Sequence, residues 1–189
     1  MFSHHSEELK ERVSYLLDCA KQMGATDAAA EISEGSGLSV AVRKGDIETI
    51  EQNLDKQAGV TVFIGQRRGN AGTNDFSKDA LKAAVQAAFH IAQHTAEDDC
   101  AGLAEPEFLE THPKDLDLFH PWDIDTAAAV EIARRAEAGA FAVSPRISNS
   151  DGASVSAQQS HFMLGTTQGF MGGYAVSRHY IACTPIATL

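Results

Sequence analysis

Two histidines four residues apart, His90 and His94 in the stretch HIAQH, are the residues here whose type and spacing come nearest to a metal site. An i, i+4 pair on a helix puts two imidazoles on one face, close enough to share one zinc ion. Hydrolytic zinc helices of the H-E-x-x-H kind place a glutamate base directly after the first histidine. Here that position is Ile91, and no acid follows until Glu97. On a helical wheel the pair falls roughly opposite the apolar stripe of Leu81, Val85 and Ala92, so it is predicted to be exposed at a helix end without a metal.

Four cations, Arg43, Lys44, Arg67 and Arg68, are the remaining binding candidates. They belong to a strand-rich stretch and are predicted on its exposed side. There they form either a solvated sheet face or a cationic wall that orients a peptide's carboxylates or docks a partner subunit. Other chemistry is sparse. Cys19, Cys100 and Cys183 are isolated and odd in number, which suits free or buried thiols. Residues 148–160 are serine-rich without a G-x-S-x-G elbow, and Gly65, Gly69 and Gly72 lie in a hairpin pattern, not ahead of a βαβ helix. No catalytic residue, metal ligand or cofactor is therefore expected in this chain.

The elements that must carry these residues are legible in the hydrophobic pattern. Ser6-Glu7-Glu8 predicts a helix start, the stripe Leu9, Val13, Leu16, Leu17, Ala20 its buried face, and Gly24 its stop. A first strand is predicted over 28–34, with Ser36-Gly37 as a turn. Residues 38–73 then read as a four-strand meander: Leu38, Val40 and Val42 alternate with Ser39, Ala41 and Arg43, and Val60, Val62 and Ile64 with Thr61 and Phe63. A second helix, capped by Ser77, carries the stripe Leu81, Ala84, Val85, Ala88, Ala92. A third, capped by Asp123 or Asp125, turns Ala129, Ile132, Ala133, Ala136 and Ala140 inward. Residues 146–152 are predicted to run into a turn, and 161–164 and 174–186 to be strands. Gly172-Gly173 is either a hairpin turn or a point where another backbone passes closely. The fold class is α+β, an antiparallel meander sheet flanked by helices and followed by a second strand-rich domain that reads as incomplete. Its predicted divisions are an α+β domain over 1–96, an acidic linker over 97–122, and a helix plus strands over 123–189.

Charge excludes some partners. Of the net −11, residues 97–125 supply ten acids against Lys114 alone, a balance of −9. With no basic face to release counterions, direct nucleic-acid binding is not expected. Nor is a membrane: no run approaches the roughly 20 apolar residues of a span. The opening MFSHHSEELKER has no apolar signal, so a cytoplasmic location is predicted.

Several weak motifs in order carry a resemblance. Gly37-Leu38-Ser39-Val40, Arg43-Lys44-Gly45, Ile47-Glu48, Gly59-Val60-Thr61-Val62, Arg68-Gly69 and Thr73 are followed by Arg146-Ile147, Asn149-Ser150-Asp151-Gly152 and Gln168-Gly169-Phe170 with Tyr174. Together they resemble the N-terminal portion of the TldD/PmbA family, nearer its PmbA (TldE) branch. The family is linked to zinc-dependent peptide cleavage and is also labelled as modulators of DNA gyrase. The resemblance implies a non-catalytic part of a heteromeric zinc peptidase, which shapes the binding of unfolded peptide and makes contacts with a TldD-like subunit or with its own copies. It implies that zinc sits on the TldD-type partner, whose His-Glu-x-x-x-His helix would fall beyond residue 189 of this sequence. The alternative is a non-enzymatic α+β protein-interaction module.

Overall fold

A computed structural model describes residues 2–110 and 112–188; Met1, Thr111 and Leu189, the last residue of the sequence, lie outside them. In chain order the elements are α1 (Ser6–Gln22), β1 (Asp27–Arg43), β2 (Asp46–Ile64), β3 (Arg67–Thr73) and α2 (Lys78–His94). A 3-10 turn (Pro106–Phe108) precedes α3 (Thr126–Ala142), β4 (Ile147–Thr166), β5 (Met171–Gly172) and β6 (Ala175–Ala187). The sheet runs β3-β2-β1-β4-β5, with β6 also paired to β4. The fold is α+β, as the patterning predicts. It forms two compact units that are interleaved along the chain: Met1–Glu34, Asp55–Leu116 and His161–Ala175 make one, and Gly35–Leu54, Asp117–Ser160 and Val176–Leu189 the other.

In the first unit, period two along β1 buries Ala28, Ala30 and Ile32, and along β2 buries Ala58, Val60 and Val62. Leu9, Val13, Leu16 and Ala20 of α1 and Leu81, Val85 and Ala88 of α2 close over that face. The predicted stripes of both helices are the buried ones. Helix α2 comes very close to β3 because Gly69 has no side chain; a Cβ there would run into the backbone of Ala88 and Ala92. In the second unit Leu38, Val40 and Val42 of β1 pack with Ala153 and Val155 of β4 against Ala129, Val130 and Ala133 of α3, and Trp122 lies against this core as an anchor.

Four local expectations are corrected. The meander over 38–73 has three strands, because β1 and β2 are each continuous: Ser36 and Gly37 lie inside β1, not in a turn. Within the strand, the Gln158 side chain occupies the space that a Cβ at Gly37 would take. Likewise Gly152 is within β4 at φ +104, where its bare backbone meets the Val42 carbonyl, so 146–152 does not turn away. Helix α1 is capped by His5, whose N–H donates to the Glu8 carboxylate at 2.9 Å, and Ser6 is its first helical residue. Finally, the buried face of α3 also includes Glu137, beside the predicted stripe in which Ala129 and Ala133 are buried and Ile132 and Ala136 pack half-buried on the same core.

Candidate functional site

Antiparallel pairing of β2 and β3 sets Thr61 opposite Asn70 and Gly59 opposite Gly72, while Val60 and Val62 face Ala71 and Gly69 on the helix-covered side. Alternation therefore turns Gln57, Gly59 and Thr61 of β2, with Asn70 and Gly72 of β3, to the face that α1 and α2 leave uncovered. Glu31 and Ser33 of β1 join them, and the result is an open groove of about 470 Å³ within the first unit. Its walls are polar (Glu31, Ser33, Gln57, Thr61, Asn70), its floor includes the two side-chain-free positions, and Leu164 of β4 completes the lining. A ligand settling there would meet amide, hydroxyl and carboxylate groups, and at Gly59 and Gly72 the backbone itself. That combination suits an extended polar chain better than a compact apolar molecule.

The four predicted cations fall into two pairs, one per unit. In the second unit, Arg43 Nε donates to the Ser150 carbonyl at 3.1 Å. Lys44 and Gly45 form the two-residue turn between β1 and β2, both at positive φ (53° and 79°), the conformation hairpin turns of this length require. Their backbone N–H groups both donate to the Glu137 carboxylate, at 2.9 and 2.8 Å. Burial pushes this carboxyl up, but the two N–H bonds, Ser150 and the Arg43 charge together hold it below the usual range. The nearby Cys183 thiol is pushed up by burial and by the Glu137 charge, against a smaller opposing effect of its hydrogen bond with Ser150. In the first unit, Arg67 donates to the Gln93 carbonyl at 3.4 Å and pairs with Glu97 at 3.2 Å, tying the acidic segment to the end of α2. Arg68 is exposed on β3, on the same face as Asn70 and Gly72.

The family suggested by the sequence motifs implies zinc, and the residues present do not fit it. Among the described residues no three His, Cys, Asp or Glu side chains are arranged to hold a metal. His90 and His94 are exposed on α2, with His90 Nδ1 against Gln93 Oε1 at 3.2 Å. The nearest approach to a ligand set is one the sequence patterning missed, His4, Glu34 and His161 in the first unit. There the ring nitrogens lie on the carboxylate oxygens at 2.7 and 3.1 Å, the geometry of hydrogen bonding and ion pairing. One signal could have found it: Glu34 continues the buried alternation of Ala28, Ala30 and Ile32, and a charge in that register needs partners.

Comparison with known proteins agrees with this architecture. Residues 28–92 match the family profile described as PmbA/TldA metallopeptidase domain 1, and residues 119–188 that of the PmbA/TldA metallopeptidase central domain. The chain is 39% identical over 180 residues to a Metalloprotease PmbA homolog of Haemophilus influenzae, and 38% identical over 180 residues to Metalloprotease PmbA of Escherichia coli O157:H7. Each alignment takes in 95% of this chain and 40% of the relative, so the chain spans about two fifths of the length of these relatives. Among solved structures, a putative modulator of DNA gyrase from Bacteroides thetaiotaomicron superposes with a TM-score of 0.83 at 18% identity, over 93% of this chain and 40% of that one. TldE from Thermococcus kodakarensis does so at 0.77 and 12%, over 94% and 40%. No helix among the described residues is long and apolar enough to cross a membrane.

Proposed function

The chain belongs to the PmbA/TldD family, and from that premise we propose that it is the N-terminal part of a non-catalytic, PmbA-like subunit of a cytoplasmic, heteromeric zinc peptidase. Its work is to hold unfolded peptide and to contact a TldD-like subunit, which supplies the zinc and the general base. The observation that carries this is the groove over β1, β2 and β3, a sheet face left without a helix and walled by groups that bond to peptide backbone. Thr61, Gln57 and Asn70 offer hydrogen bonds that are indifferent to the peptide's sequence, as a protease accessory surface requires. Of the four cations proposed for peptide or partner contact, Arg68 shares the exposed face of β3 with Asn70 and Gly72 and would meet a carboxylate from there, while Arg43, Lys44 and Arg67 serve the turn and the α2 end as well.

The test is co-purification with a TldD-type subunit, followed by cleavage of unfolded peptides with and without the protein that contains this chain. Cleavage that depends on both subunits, and that falls when Thr61→Trp fills the groove while co-purification survives, is the expected outcome. Cleavage by the partner alone ends the accessory-subunit idea. A second assignment, a protein-interaction module without part in catalysis, is favoured by Ile47, Ile50 and Leu54, apolar side chains exposed by 48%, 46% and 67% on β2. It predicts co-purification that is lost in an Ile50→Glu, Leu54→Glu variant, and no effect on cleavage.

A further inference from the structure

Glu34 is 3% exposed, at the point where the buried register of β1 in the first unit would otherwise carry another apolar side chain. A carboxylate withdrawn from water needs donors and a counter-charge. Its Oε1 accepts the backbone N–H of His4 at 2.9 Å and lies 3.1 Å from His161 Nε2, and its Oε2 lies 2.7 Å from His4 Nδ1. The Oε1 contact with His161 is an ion-pair approach without hydrogen-bond alignment, which leaves that buried nitrogen otherwise unpartnered. Among the described residues, the cationic groups paired with Glu34 are these two imidazoles; neither arginine nor lysine is among them.

The segment that brings His4 is held at two further points. Phe2 lies flat on the His161 ring, with centroids 3.9 Å apart and planes 12° from parallel, and the His4 ring tilts against Phe76 at 5.5 Å. The other charged groups that face this cluster are Arg12 of α1 and Lys56 of β2, both over the Phe76 ring at 5.9 and 5.5 Å, and Asp75, which feels the Lys56 charge. Arginine and lysine side chains as a class do not exchange their protons in the physiological range. Histidine is the side chain that exchanges its proton there. With one imidazolium the buried pair is neutral; with none, Glu34 faces only neutral donors.

We propose that residues 2–5 are a proton-linked clasp, held shut over Glu34 and His161 by imidazolium charge and released when that charge is lost. Release lifts Phe2 from the face of the His161 ring and opens that side of the buried carboxylate to water. The window has an acid limit too. Burial pushes the Glu34 carboxyl up, but the bonds from the His4 ring and the His4 N–H, with the His161 ring close by, hold it below the usual range. A carboxyl lowered on folding gives its stabilisation above its unfolded pKa and loses it as pH falls through the folded value, so the clasp opens in strong acid as well. The device is independent of the peptidase assignment and stands or falls separately from it.

Amide hydrogen exchange on the whole chain, read by NMR from about pH 5 to about pH 8, is the test. The His4 N–H, corrected for the intrinsic exchange rate at each pH, is expected to lose at least about tenfold of its protection over that range, the response of one linked proton. The Ala88 and Ala92 amides in α2 hold theirs. His4→Gln keeps a donor without a charge and lies outside the core, so it folds; in it the pH dependence is expected to fall by at least about threefold. Glu34→Gln is expected to leave the His4 amide unprotected throughout. His4 protection that is flat across the range overturns the proposal, as does a pH response retained in His4→Gln or one shared by the α2 amides.

Discussion

Removing the Glu137 carboxylate tests how the second unit holds its β1–β2 turn. Glu137 is 2% exposed and receives two backbone N–H groups from a turn in which Lys44, a residue with a Cβ, sits at φ 53°. Such a conformation is disfavoured away from glycine and persists where surrounding bonds over-determine it. Each charge-assisted bond is worth about 1.5–3 kcal/mol, and deleting the acceptor leaves two N–H donors that the turn can partly rehydrate. A net loss of about 3 kcal/mol for Glu137→Ala is therefore expected. Trp122, the sole tryptophan, packs on the core of this unit, so its fluorescence in urea reports the right transition. With an m-value of about 1–3 kcal/mol per molar urea, the midpoint drops by about 1–3 M. Glu137→Gln recovers part of this at most, because its amide NH2 turns a donor toward a donor. The folded pKa is lowered, so the contribution is complete above the unfolded value of about 4.3 and disappears as pH falls through the folded one. The gap between the parent and Glu137→Ala should be constant above about pH 6 and close in acid. A midpoint shift under about 0.3 M near neutral pH refutes the anchoring role.

Gly69→Ala drives a Cβ into the α2 backbone at Ala88 and Ala92 and should cost at least about 2 kcal/mol, or about 4–8 °C in the melting of the first unit by circular dichroism. A neutral result would mean that α2 can lift off β3. Gly37→Ala meets only the Gln158 side chain, which can rotate away from Ser39 and Ser156, so its effect on the Trp122 midpoint should stay below about 1 kcal/mol. Gly45→Ala, at φ 79°, should cost about 1–2 kcal/mol by the same measure; equal costs at the two sites would contradict the placement of Gly37 within a strand. Replacing both His90 and His94 by alanine should leave stability within about 0.5 kcal/mol and zinc uptake in equilibrium dialysis unchanged, and the loss of one bound zinc per chain would show the pair to be a site.

Helix stripes were the most legible part of the fold. Leu81, Ala84, Val85, Ala88 and Ala92 recur at helical spacing and are buried together, because a 17-residue helix has enough turns for its period to be unmistakable. Strand ends were harder to place. The strands of 17 and 19 residues that β1 and β2 form exceed the usual five or six, and their glycines imitate turns. Gln158 fills the space beside Gly37 and the Val42 carbonyl that beside Gly152, and those neighbours are remote in sequence. Along β2, residues 46–57 are all exposed, so no apolar alternation marks them as strand. The groove was half visible: alternation already placed Thr61 on the opposite face from Val60 and Val62, but only strand pairing sets Asn70 and Gly72 beside it.

The two buried carboxylates are the informative misses, and both share one signature. Glu34 takes the next place after Ala28, Ala30 and Ile32 on a period of two; Glu137 takes the next place after Val130 and Ala133 at helical spacing. Either residue could have been dismissed as a charge at a fraying edge of its element. Burying an unpaired carboxylate costs several kcal/mol, however, so a glutamate on an apolar stripe implies donors waiting in the fold. What the sequence cannot supply is their address. The donors to Glu137 lie 93 and 92 residues away and are backbone groups, which leave no trace in residue type; those to Glu34 are side chains and one N–H from a segment 30 residues upstream and a strand beyond α3. The kind of donor separates the two roles. Backbone N–H groups never lose their protons at any working pH, so Glu137 anchors its turn wherever its own carboxyl is ionised. Imidazoles do lose theirs, which makes the contacts of Glu34 conditional on pH.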